Sequence, residues 1–192
     1  GAGAIGMEFA YYYAVAGSRV TVVEALDSIL PFADPEAVKA VVRAMRRRKV
    51  EMICPARVVT VQEQEEGVRV VLERGGEQTG VDADRVLVSI GVTPNTEDLW
   101  DPALEMKMDG PFVKTDGWGR TSVDGVYAIG DLAGAPLLAH AASHEGVVAA
   151  EHICGLDPEP KDEAVSPGVV YCQPQVAQVG LTEALAAENG RD

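Results

Sequence analysis

Apolar and polar positions alternate with two different periods along the chain. Ala4 to Ala16 is rich in Ala, Met, Phe and Tyr, has no breaker before Gly17, and predicts a helix. Arg19 to Glu24 is a nearly continuous β-branched run and predicts a buried parallel strand. Asp34-Pro35 is an N-cap followed by Pro at the first helical position. The helix it opens carries Val38, Val41, Val42 and Met45 on its apolar face and ends in the basic cluster Arg46 to Lys49. Short period-two runs then predict strands over 57–62, 68–73, 78–81 and 85–90, with turns at Glu65-Glu66-Gly67 and Arg74-Gly75-Gly76. Residues 95–119 are irregular. Val126 to Ile129 predicts another buried strand, followed by an Ala- and His-rich helix ending near Gly155. The stretch 156–167 holds Pro158, Pro160 and Pro167 among charges and reads as a linker. Strands over 168–171 and 176–179 and a helix opened by Thr182 complete the pattern.

Composition narrows the function classes. Sixteen Lys and Arg against thirty Asp and Glu give a net charge of −14, which argues against nucleic acid or an anionic membrane as partner. No apolar run is long enough to cross a membrane, and no signal-type stretch opens the chain. Cys54, Cys154 and Cys172 are far apart, so they read as reduced thiols of a cytoplasmic protein rather than a disulfide framework or a Cys-only zinc site. His140, His144 and His152 share helical spacing, but without an H-E-x-x-H motif they predict no metal site. The basic run Arg43 to Lys49 complements a helix C-terminus and reads as a solvated face.

Gly1, Gly3 and Gly6 form a G-x-G-x-x-G that opens a helix, and the next strand ends in Glu24, 18 positions after Gly6. An acid at roughly 20 residues is the spacing of a ribose-binding carboxylate. In such a turn the first glycine permits the tight bend, the second lets the backbone approach a pyrophosphate, and the third allows close packing of helix on strand. The N–H groups of the helix then face the phosphates. Glu24 can accept hydrogen bonds from ribose hydroxyls and repels a 2′-phosphate. Ala25 to Ser28 contain no arginine, so NAD is expected over NADP. A dinucleotide motif normally hangs from a strand, and none precedes Gly1; the chain is therefore expected to be an internal stretch of a longer protein.

Thr121 to Asp131 is a turn, a strand and an acid at the strand's C-terminal edge, where ligands lie in open α/β sheets. This stretch resembles the second flavin-binding motif of the pyridine nucleotide-disulfide oxidoreductase family. Val88 to Asn95 resembles that family's strand and G-x-x-P-N turn. Ser166 to Pro174 with Val179 to Glu183 resembles the start of its interface domain. Pro136-Leu137-Leu138-Ala139-His140, with Glu145-Gly146, is most similar to the dihydrolipoamide dehydrogenases of the family, with Ala141 where they usually carry Lys.

The resemblance implies an α/β fold of three parts: a Rossmann-like NAD-binding domain over 1–97, the C-terminal part of an FAD-binding domain over 98–155, and a linker with the start of an α+β dimerisation domain over 156–192. It implies that Asp131 holds a ribityl hydroxyl of FAD. It also implies that the backbone of Leu137, Leu138, Ala139 and His140 meets the flavin pyrimidine edge, where a helix N-terminus favours negative charge. Glu8 matches a family position near the nicotinamide side of the flavin, and Val58 and Gly91 match backbone contacts with NAD. The implied activity passes electrons between dihydrolipoamide and NAD through FAD. The implied partners are the lipoyl-bearing acyltransferase of a 2-oxoacid dehydrogenase complex and a second copy of the full-length chain. The redox C-x-x-x-x-C and the His–Glu base pair of that chemistry are absent from these residues, so no catalytic residue is assigned and the stretch alone is expected to be inactive. An NADH oxidase or another NADH-dependent flavoprotein reductase, and a nucleotide-binding module without redox chemistry, are the alternative readings.

Overall fold

A computed structural model describes residues 1–191; Asp192, the last residue of the third expected segment, lies outside the described residues. The described residues form two compact units, one of Gly1–Gly91 with the chain from Val169 onward and one of Val92–Gly168.

In the first unit the glycine turn leads into helix α1 (Ala4–Val15), and strand β1 (Thr21–Val23) follows. Helix α2 (Pro35–Arg47) returns the chain to strand β2 (Glu51–Ile53), which pairs with β1 in parallel, Val22 against Met52. The parallel pair with an intervening helix is the half-unit of a dinucleotide-binding fold. Asp34 is the N-cap of α2, but its side chain makes no cap hydrogen bond. The apolar face of α2 buries Val38, Val41 and Met45 against Met7 and Ala10 of α1 and Val22 of β1. Three antiparallel strands follow, β3 (Arg57–Glu63), β4 (Val68–Arg74) and β5 (Glu77–Ala83), with β4 in the middle and a register shift in β3 between Val58 and Thr60. Leu72 and Val70 are buried in the central strand, while β3 is exposed along its length. Strands β8 (Gly168–Val170) and β9 (Val176–Gln178) pair with each other. Val170, Cys172 and Val176 join the core cluster of α1, β1 and α2. Helix α4 (Glu183–Glu188) is capped by Thr182, whose hydroxyl accepts from Leu185 N–H at 3.3 Å.

The second unit has a short hairpin, β6 (Met108–Asp109) with β7 (Phe112–Val113), and one long helix, α3 (Ala139–Ile153). Asp116 ties its turn together by accepting from Trp118 N–H and from the backbone and side chain of Arg120. Burial raises the Asp116 pKa, but these donors prevail and leave it below the ordinary Asp value.

Two predicted strands do not form. Residues 85–90 carry no strand pairing, and Val88 and Ile90 are 72% and 82% exposed. Residues 126–129 make only an isolated bridge, Tyr127 with Arg120, and Ile129 is 38% exposed. β-branched composition favours extended backbone, but a strand needs a hydrogen-bonded neighbour, and neither run has a strand beside it among the described residues. The predicted linker is not a free tether. Trp118 Nε1 donates to Pro158 O at 2.9 Å, Lys161 N donates to Gly117 O at 2.8 Å, and the Lys161 ammonium lies 3.4 Å from Glu145. The aromatic run on α1 is divided by helical geometry. Tyr11 lies under the Arg48 guanidinium at 5.1 Å, while Tyr12 is 63% exposed. Arg48 thus leaves the otherwise exposed basic cluster to pack on α1.

Met45 is fully buried where α2 meets the core. Met45→Ala should lower the unfolding free energy of the protein that carries this chain by about 2–5 kcal/mol, read from its urea midpoint. A midpoint unchanged from the parent would show that this core is not formed in solution.

Candidate dinucleotide-binding sites

The end of β1 and the start of α1 meet through one carboxylate. Glu24 N–H donates to Ile53 O at 3.1 Å, which fixes the end of β1 beside β2. Its Oε2 accepts from Ala2 N–H at 2.6 Å and its Oε1 from Leu26 N–H at 2.9 Å. Ala2 is fully buried, and its carbonyl accepts from Leu30 N–H at 2.8 Å. Burial raises the Glu24 pKa, but the N–H groups of Leu26 and Ala2 outweigh it and hold the carboxyl below its ordinary 4.5. Glu24 is therefore ionised at neutral pH. A carboxylate has about four acceptor positions, so capacity remains for ligand hydroxyls.

The three glycines of the turn do different things. A Cβ on Gly1 would collide with the Ser89 carbonyl, and one on Gly6 with the Gly1 carbonyl. Ser89 Oγ also donates to Gly1 O at 3.1 Å. These two positions are closed by the protein itself. Gly3 has φ of −70° and nothing within 4 Å of an added Cβ. Neither backbone conformation nor internal packing demands glycine there. A group that comes close to the backbone from outside, such as a pyrophosphate, does. The first intrahelical bond of α1 is Met7 N–H to Gly3 O at 3.0 Å, so the preceding N–H groups point toward that open side. The geometry fits a dinucleotide with its phosphates at Gly3 and its ribose at Glu24.

The other predicted NAD contacts have varied surroundings. Val58 is exposed on β3 where the register shifts, and Gly91 is exposed with φ of 128°. Glu8 is half-buried and its Oε1 accepts from Tyr171 N–H at 2.8 Å. One neighbour was not legible from the sequence. Arg74, at the end of β4, brings its guanidinium to 3.5 Å from Cys54 O, just beyond β2. Only the pairing of the strands places it there.

In the second unit Asp131 sits in a single turn of 3₁₀ helix, Gly130–Leu132. Its side chain is exposed and takes no hydrogen-bond partner among the described residues. Gly130 is buried with φ of 64°, and a Cβ there would press on Ala142 of α3. A carboxylate offered to solvent from a left-handed turn, with no room for a side chain at the residue before it, fits a ligand hydroxyl. The Gly130 N–H donates to Glu145 Oε2 at 2.6 Å, and Glu145 is only 7% exposed. The sequence shows Glu145 as part of a motif; its contact with the turn appears only once α3 is packed.

Leu138 is the N-cap of α3, and the first helical bond is Ala142 N–H to Leu138 O at 3.0 Å. The N–H groups of Ala139 and His140 precede it. Leu138 N–H is spent on Pro136 O at 2.9 Å, and Leu137 is half-buried. His140 is exposed and its Nε2 lies 2.8 Å from Pro167 O; because a carbonyl only accepts, Nε2 carries the proton.

None of the three thiols is arranged as a nucleophile. Burial pushes the Cys172 thiol up, and its Sγ donates to Pro174 O at 3.1 Å. Burial and the nearby Glu24 carboxylate push Cys54 up. Cys154 is exposed with no cysteine near it in sequence. Among the described residues no group of three or more His, Cys, Asp or Glu could hold a metal ion, and no helix is long and apolar enough to cross a membrane. The arrangement can bind and orient a nucleotide.

Residues 1–146 match the family described as pyridine nucleotide-disulphide oxidoreductase. The chain is 44% identical over its whole length to a dihydrolipoyl dehydrogenase of Rhizobium etli, of which it covers 40%, and 41% identical to one of Bacillus subtilis, of which it covers 41%. Among solved structures, LpdA from Mycobacterium tuberculosis superposes with a TM-score of 0.89 at 28% identity, over 98% of this chain and 40% of that one. The HOCl-induced flavoprotein disulfide reductase RclA from Escherichia coli gives 0.88 at 27% identity, over 100% of this chain and 44% of that one. The chain thus spans about two fifths of the length of its curated relatives. With its glycine turn, its Glu24 and its Gly130-Asp131 turn each in a geometry suited to a nucleotide cofactor, the chain belongs to the pyridine nucleotide-disulphide oxidoreductase family.

Proposed function

We propose that this chain is the NAD-binding portion and the C-terminal part of the FAD-binding portion of a dihydrolipoyl dehydrogenase. The parts follow the sequence division: 1–97 for NAD, 98–155 for FAD, and 156–192 as connection and start of the dimerisation domain. The full-length enzyme passes electrons from dihydrolipoamide to NAD, is cytoplasmic, acts as a homodimer, and takes its substrate from the lipoyl-bearing acyltransferase of a 2-oxoacid dehydrogenase complex. The observation that carries the cofactor reading is the contrast within the glycine turn. Gly1 and Gly6 are required by packing, while Gly3 faces open space beside an ionised Glu24. The relatives' names and the loop from Pro136 to His140 support the dihydrolipoyl assignment over an NADH oxidase. FAD supplies the two-electron relay when bound. The residues of this chain hold it through Asp131 and the backbone of Leu137 to His140, while Glu24 and the glycine turn hold NAD. Chemistry at the disulfide is left to residues outside this chain.

Gly3→Val tests the reading. The added side chain has room in the protein, so the melting temperature of the full-length enzyme should hold. The Kd for NADH should rise at least tenfold as the pyrophosphate is displaced. An unchanged Kd would remove the pyrophosphate from Gly3.

Glu24→Ala should weaken NAD binding by one or two charge-assisted hydrogen bonds, about 1.5–3 kcal/mol each, and should also lower stability because it leaves the Ala2 N–H unpaired; the parent should prefer NADH to NADPH. Equal kcat/KM for the two cofactors would count against the ribose role of Glu24. The pH dependence has a definite sign. The folded pKa is depressed, so the stabilisation from the ionised carboxylate is complete above the ordinary Glu value of 4.5 and is lost as pH falls through the lower folded value. NAD affinity measured by equilibrium titration should therefore be flat above pH 5 and decline only below about 4.5.

Asp131→Ala should lower the flavin content of the purified full-length protein after dialysis. Full retention of flavin would make Asp131 a residue of the turn alone.

A further inference from the structure

One buried charged side chain is not used by the sites described above. Glu145 is on the inward face of α3 with Ala141, Val148 and Ala149, and its carboxylate is 8% exposed. One oxygen accepts from Gly130 N–H at 2.6 Å; the other lies 3.4 Å from the Lys161 ammonium. A buried carboxylate is costly unless both oxygens are partnered, and here one partner is the N–H of Gly130, the residue immediately before Asp131. Gly130 is buried with φ of 64°, so its N–H has to find its partner inside the protein. The turn is closed from the other side by Ala133 N–H to Gly130 O at 2.8 Å. Ala142, which meets Gly130, and Glu145 are three apart on one helix face, so α3 grips the turn through a methyl contact and a hydrogen bond together.

We propose that Glu145 is a positioning residue for FAD. Its carboxylate holds the Gly130 peptide so that the Asp131 side chain projects toward the ribityl chain. The inference rests on the reading of Asp131 given above. Lys161 lies against the buried carboxylate and ties the 156–167 stretch to the same residue that holds the turn.

The role belongs to the acceptor oxygen rather than to the charge, and two substitutions separate them. Glu145→Gln keeps an oxygen for Gly130 N–H and removes the charge. Glu145→Asp keeps the charge and withdraws the oxygen by one methylene. In the full-length flavoprotein, stripped of FAD and titrated with it, Glu145→Asp should raise the Kd for FAD about tenfold. Glu145→Gln should stay within about threefold of the parent, and the melting temperature of the apoprotein should be the same for both. In an Asp131→Ala background Glu145→Asp should add nothing, because its effect passes through Asp131. The proposal is overturned if Glu145→Gln loses as much affinity as Glu145→Asp, if neither changes the Kd, or if the effect of Glu145→Asp persists in full without Asp131. If Asp131→Ala by itself leaves the Kd for FAD unchanged, it is the assignment of Asp131 that fails.

Discussion

The first unit depends on the hydrogen bond between the Glu24 carboxylate and the buried N–H of Ala2. Ala2 is fully buried and follows Gly1, whose position is closed by the Ser89 carbonyl, so its amide has no access to water. An unpaired buried amide would cost about 1–3 kcal/mol. Glu24 satisfies it from the end of β1 and satisfies Leu26 as well. The strand end, the glycine turn and the start of α1 are thereby one rigid piece. The same contacts hold the carboxyl ionised. A residue needed to fold the turn is thus also a fixed negative charge where the ribose of a dinucleotide would lie.

That economy explains which parts were legible in the sequence. Glycine spacing and the strand-terminal acid are local, and local geometry fixes them: the turn, α1, β1 and Glu24 follow from about two dozen consecutive residues. The apolar stripe of α2 and the antiparallel strands β3, β4 and β5 were equally plain, since tight Gly turns join them. What failed was non-local. Residues 85–90 and 126–129 have strand composition, yet a strand is a relation between two segments, and composition names only one of them. Strand β2 went unnoticed for the opposite reason. Glu51-Met52-Ile53 is too short to show a period, and it is a strand because β1 pairs with it. Proline and charge marked 156–167 as a linker, but composition gives no sign of what it packs against. Its contacts with Trp118, Gly117 and Glu145 are made by residues about 16 to 44 positions away.

Three acidic residues show how exposure sorts one chemical group into different tasks. Glu145 is buried with both oxygens engaged, and nothing about it is free to meet a ligand. Asp131 is exposed, unpartnered among the described residues, and follows a left-handed glycine, so its acceptor capacity is wholly available. Glu24 lies between them, half-exposed, with part of its capacity spent on the turn. A carboxylate's strongest hydrogen bonds are those made where water is scarce. The contacts of 2.6 Å that Glu24 and Glu145 make, one part-buried and one buried, go to backbone amides that shape a turn. The sequence displays all three acids alike, and it was motif position that singled out Asp131 and Glu24. Burial separates the residue that builds a site from the residue that fills it. By that criterion the structure of each turn, rather than its ligand contact alone, sets how firmly a cofactor can be held, because a carboxylate can bind a hydroxyl only as well as the peptide behind it is fixed.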